Sequence, residues 1–176
     1  MELDTLNALY IRRLRDLYSA ETQLIKALPK MQKAATSDEL RQAFEMHLAQ
    51  TEQQVERLTK IFEDLDISPK GKHCRNMEGL LAEADELIGE GADTAVLDAG
   101  LIASAQGVEQ YEMAGYGAAR ASSQLLGFDE HTELLQQTLS EADDADRILS
   151  ELAMRSVNLE AVKEDREAAV DGATTS

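Results

Sequence analysis

An all-α fold is what this sequence predicts, and three observations predict it. Good helix formers dominate a composition with 4% aromatics, two prolines and no tryptophan. Apolar residues recur every three or four positions along four long stretches, the period of one helix face. Helix start and stop signals fall between those stretches. A length of 176 residues suits one domain with a sizeable core.

The elements follow in chain order. Leu6, Leu9, Tyr10, Leu14, Leu17, Tyr18, Glu21, Leu24, Ile25, Leu28 and Met31 share a face, which predicts a helix over 5–34. Pro29 removes its bond to the Ile25 carbonyl and is expected to kink the last turn. Thr36 and Glu39 form a capping box that starts the second helix, with Leu40, Ala43, Phe44, His47, Thr51, Val55, Leu58 and Phe62 as its stripe. Residues 64–76 are turn-rich and 77–91 read as a short helix closed by glycine, so 64–92 is a long connection with its own helix. Asp93 is the expected N-cap of the third long helix, which turns Leu101, Ile102, Ala105, Val108, Tyr116 and Ala119 inward and ends at Gly127. Its glycines 100, 107, 115 and 117 are expected to permit close helix contacts. Asp129 is expected to cap the fourth long helix, with Leu135, Thr138, Leu139, Ala142, Ala145, Leu149 and Leu152 facing the core and His131 in solvent. Periodicity fades near 160, which leaves a domain over 1–160 and a flexible acidic tail over 161–176.

Two antiparallel hairpins joined by a long crossover that carries a short extra helix describe a ferritin-like four-helix bundle. A plain up-and-down bundle with a decorated loop is the alternative. The formal charge of −17, from 34 acidic and 17 basic residues, repels phosphate backbones and anionic lipid heads, which argues against nucleic acid as a partner. No segment holds the run of about 18 uncharged apolar residues that a membrane span needs, and the first residues lack the pattern of a signal peptide. A cytoplasmic location is the expectation. Cys74 is the single cysteine, so no intramolecular disulfide forms. No phosphate-cradling glycine loop, Gly-x-Ser-x-Gly or catalytic Cys/His signature occurs.

The polar residues on the apolar stripes carry the chemistry. Glu21 lies near the middle of the first face, His47, Thr51 and Gln54 lie on the second, and Glu109 and Glu112 straddle the centre of the third. Measured from the turns at ~1.5 Å per residue, Glu21 and His47 to Thr51 stand at similar heights, as do Glu112 and the stretch from Glu141 to Asp146. An ionised carboxylate in an apolar interior costs several kcal/mol unless a cation holds it. Carboxylates with one imidazole suit iron or manganese, as one or two ions. Helix bundles build such centres from one Glu on each of two helices and Glu/His pairs on the others; here the fourth helix offers no inward histidine. The bland alternatives are ion pairs with Arg13 or another inward arginine, a hydrogen-bonded core His47, and Tyr111 and Tyr116 as packing residues.

Residues 5–160 resemble the YciE/YciF-type bacterial stress proteins, a ferritin-like family. The matching stretches are DLYSAETQLIKALPKM, FEMHLAQTEQQVERL, CRNMEGLLAEADELI, ASAQGVEQYEMAGYG and LLQQTLSEADDAD. The resemblance implies a bundle that is commonly a homodimer, a dimetal site in its core and a link to stress responses. Carried over by position, the metal residues are Glu21, His47, Glu109 and Glu112, with Glu141 nearby. This chain departs from the family pattern at Gln50, where a glutamate is usual, and at Ala142, where a second glutamate follows Glu141. Gln50, Thr51, Gln54 and Asp146 are then candidates to support or substitute for ligands. Three functional readings follow. One is a dimetal oxidoreductase such as a peroxidase, catalase or ferroxidase acting on O2 or H2O2. The others are a non-enzymatic stress or structural bundle with a degraded site, and iron storage in a cage.

Overall fold

Helix α1, Leu6–Ala34, begins where the Thr5 hydroxyl accepts from the Ala8 amide, and it continues through Pro29 to Ala34. In this computed structural model residues 4–91, 94–157, 160, 162 and 163 are described. Helix α2, Asp38–Asp64, is capped by Ser37 rather than Thr36, with Asp38 and Glu39 placing negative charge at its positive end. Thr36 is recruited elsewhere. Its amide and hydroxyl, and the Ser37 amide, all donate to the Asp98 carboxylate at 2.7–2.8 Å.

Helix α3, Arg75–Gly89, starts two residues before its predicted position, with Cys74 at the N-cap and Gly91 at φ 73° after its end. Helix α4, Ala95–Leu126, is capped by the Thr94 hydroxyl and stops at Gly127, whose φ of 76° is open to glycine at no steric cost. The expected cap Asp93 lies outside the described residues. Helix α5, Asp129–Leu152, has Phe128 at its N-cap; Asp129 is its first helical residue and acts through its charge. A π-helical turn, Ala153–Val157, follows. The predicted tail falls almost wholly outside the described residues; Glu160, Val162 and Lys163 are helical.

The chain is thus all-helical among the described residues, with α1 packed on α2, α4 on α5, α2 on α5, and α3 laid over α1 and α4. Small residues set the closest approaches. A methyl group on Gly115 would lie 2.7 Å from Leu17 of α1, and one on Gly100 or Gly107 would lie 3.2 or 3.3 Å from Leu87 or Leu80 of α3. Gly117 faces open space, so close contact does not explain it.

Two apolar clusters form the core. One gathers Leu24, Leu28, Phe44, Met77, Leu101, Val108 and Leu149; the other gathers Tyr10, Leu14, Leu17, Leu58, Phe62, Tyr116 and Leu135. Along α1 the chain meets the second cluster first, along α2 and α4 it meets the first cluster first, and along α5 it meets the second first. Between the clusters lies a layer of buried polar side chains: Glu21, His47, Thr51, Gln54, Glu109, Glu112 and Thr138. His131, expected in solvent, is buried; its Nδ1 pairs with the Tyr10 hydroxyl at 3.2 Å and its ring lies against Phe128.

Candidate metal centre

Three helices bring the donor residues together. Glu21 of α1 and Glu109 and Glu112 of α4 are 0% exposed, and His47 of α2 is 6% exposed. Ligand atoms of His47, Glu109 and Glu112 all lie within 4.8 Å of one another. The spacing explains the convergence, because residues three apart on α4 share a face. Glu21 joins from the other side through the Tyr116 hydroxyl, which donates to its Oε1 at 2.7 Å.

Most of these polar atoms find no partner. Both oxygens of Glu109 and of Glu112, Oε2 of Glu21 and Nε2 of His47 lack a hydrogen bond. His47 Nε2 and Glu109 Oε1 stand 3.2 Å apart without one. Read by distance alone that contact is an ion pair; read by burial it is not. Burial pushes Glu109 up to about 9, helped by the charges of Glu21 and Asp146, and pushes His47 down to about 4, so both are neutral near pH 7. We favour the neutral description, since neither group has the solvent that an isolated charge needs.

The other carboxyls behave alike. Burial raises Glu21 to about 8, against the lowering effects of the Tyr116 hydroxyl, the adjoining Glu112 carboxyl and the charge of Arg57. Glu112 is raised well above the usual range by burial, then by Glu21 and Glu109. Without a cation this core holds its acids protonated. A divalent ion would reverse that preference, since ligands bind metal deprotonated.

Glu141 stands apart. Arg57 grips its carboxylate with two nitrogens, one at 2.7 Å, while Gln54 Nε2 donates to it at 3.3 Å. The inward position on α5 belongs to Ala142, buried at 1% exposure. The remaining candidates take lesser places. Thr51 Oγ1 bonds back to the His47 carbonyl at 2.8 Å, Asp146 accepts from Gln106 at 3.4 Å, and Gln50 lines a small cavity with His47 and Glu109. Arg57 and Tyr116 are participants that sequence reasoning missed. Gln54, one turn before Arg57 on the same face, was the available signal for the first.

The ion-pair reading with Arg13 finds no support among the described residues, where the arginine at this layer is Arg57. Cys74 is also placed: its Sγ lies 3.0 Å from the Tyr111 hydroxyl and its amide bonds Ser19.

Comparison with known proteins agrees with this architecture. Protein YciF of Escherichia coli K12 is 40% identical over 162 residues, covering 92% of this chain and 98% of its own. The crystal structure of that E. coli stress protein superposes with a TM-score of 0.85 over 89% of this chain and 99% of that one, at 40% identity. YcfI from Rhodopseudomonas palustris gives 0.81 at 43% identity, covering 85% and 95%. A Xanthomonas campestris protein gives 0.72 at 15% identity, covering 92% and 99%, a likeness of fold alone. The family described as a domain of unknown function, DUF892, matches residues 5–162. On both counts the chain belongs to this family of YciF-like proteins.

Proposed function

We propose that this protein is a ferritin-like stress-response protein whose core binds iron or manganese. The single observation that carries the reading is the group of buried, unpartnered donor atoms on Glu21, His47, Glu109 and Glu112. Native interiors rarely leave such atoms without partners, and a cation supplies all of them at once. The order in which the helices meet the two apolar clusters supports the bundle: α2 and α4 run the same way, as a long crossover between two hairpins requires.

The donor set suits an iron or manganese ion held by His47, Glu109 and Glu112, with Glu21 available for the same ion or a second. Such a metal would supply open coordination positions for O2 or H2O2. The protein's own part is to bury the donors, to hold Glu21 through Tyr116, and to keep Glu141 neutralised by Arg57. A homodimer in the cytoplasm completes the proposal. Among the described residues, no helix is long and apolar enough to cross a membrane.

The test is the metal content of untagged protein after anaerobic incubation with Fe²⁺ or Mn²⁺, beside Glu21→Ala and Glu112→Ala. One or two ions per chain are expected, with Glu112→Ala binding none and Glu21→Ala losing the second ion if there are two. A well-folded wild type without metal would overturn the reading. It would favour a second one, a non-enzymatic stress bundle with a degraded site, to which the Arg57–Glu141 pair and Ala142 already point.

A further inference from the structure

A small cavity opens between α2 and α5 and ends on the metal centre. Its volume is about 60 Å³; its walls include Met46, Ala145 and Ile148, with Gln50 among them, and its inner end is formed by His47 and Glu109. Met46 is 53% exposed while Glu109 is fully buried, so the cavity runs from solvent to the unpartnered atoms of the cluster. No ionisable side chain lines it besides His47 and Glu109, among the described residues.

Size and polarity restrict what can pass. A water's share of liquid volume is about 30 Å³, and a cavity that accepts benzene measures about 150 Å³. The space therefore admits molecules of two to four atoms and excludes ring-sized ones. Apolar walls offer nothing to a charged passenger, which keeps its hydration outside. Gln50 presents an amide to this passage, which can hydrogen-bond to a passenger without carrying a charge.

We propose that this seam is the path by which a neutral diatomic or peroxide-sized oxidant reaches the core, with exposed Met46 at its rim and half-buried Gln50 and Ala145 in its wall. The proposal rests on the metal-centre reading above and narrows its substrate class: O2 and H2O2 fit, aryl peroxides do not. It also gives Gln50 a role that a ligand list does not.

Two measurements test it. The first uses the metal-free protein, crystallised and exposed to xenon or to bromobenzene. Xenon should occupy the seam in the wild type and be lost in Ala145→Leu, and bromobenzene should not enter. Absence of xenon from the seam would overturn the route, and bromobenzene within it would overturn the size limit. The second follows nitric oxide, a neutral diatomic probe, binding to Fe²⁺-loaded protein. Ala145→Leu should slow the association at least tenfold with metal content unchanged; should it not fold, Met46→Trp at the exposed rim should slow it similarly. An unchanged rate in a folded, loaded variant overturns the proposal. If the wild type takes up no iron, the metal-centre reading fails on its own account, while the xenon result still decides whether the seam is open.

Discussion

The imidazole of His131 is wedged between the Tyr10 hydroxyl and the Phe128 ring, with centroids of the two rings 5.0 Å apart. Burial lowers its pKa below the ordinary 6.5, against the raising effects of Asp64 and Glu130 and with a small lowering from Lys60. A base whose folded pKa is depressed stabilises the fold above its unfolded pKa, and that stability is lost as pH falls through the folded value. The wild type should therefore lose more stability than His131→Gln between pH 7 and pH 5, measured as denaturant midpoints; parallel profiles would refute the assignment. The same residue marks the limit of sequence reading at this scale. Glu21, Glu109 and Glu112 were legible because a carboxylate on an apolar stripe is expensive, whereas burial of His131 comes from Tyr10, 121 positions away. Arg57 was illegible for a related reason. A long side chain can start on a polar flank and bring its charge inward to Glu141, which helical periodicity does not encode.

Helix boundaries show the same division. The lengths and stripes of the four long helices follow from period and turn signals, and Gly127 ends α4 as its left-handed backbone demands. The caps were less legible, because a hydroxyl that looks free to cap its own helix can be claimed by another. Thr36 is such a case. Asp98, one turn into α4 and 1% exposed, takes its amide, its hydroxyl and the Ser37 amide, tying the α1–α2 connection to a distant helix. Hydrogen bonds to charged acceptors contribute about 1.5–3 kcal/mol each, less when removed together. Asp98→Ala should cost about 3 kcal/mol by chemical denaturation. Asp98→Asn, which keeps acceptor capacity at one oxygen, should recover part of that loss. A change under about 0.5 kcal/mol, as at ordinary surface sites, would show that the tether is idle.

At the scale of the whole molecule, a charge of −17 on a 19.3 kDa chain opposes self-association unless salt screens it. If the protein is a homodimer, raising ionic strength from about 20 to 200 mM should shift its scattering mass toward twice 19.3 kDa. A single-chain mass at every salt concentration would remove the dimer from the proposal. The buried centre has its own consequence for the life of the molecule. Glu21 and His47 arrive on the first half of the chain and Glu109 and Glu112 on the second, with α3 between them in sequence. A ribosome that has made only the first half has made only half of the donor set. The centre exists only once the two halves have docked, so that an ion bound there would serve as a seal certifying that synthesis and folding of that copy were completed.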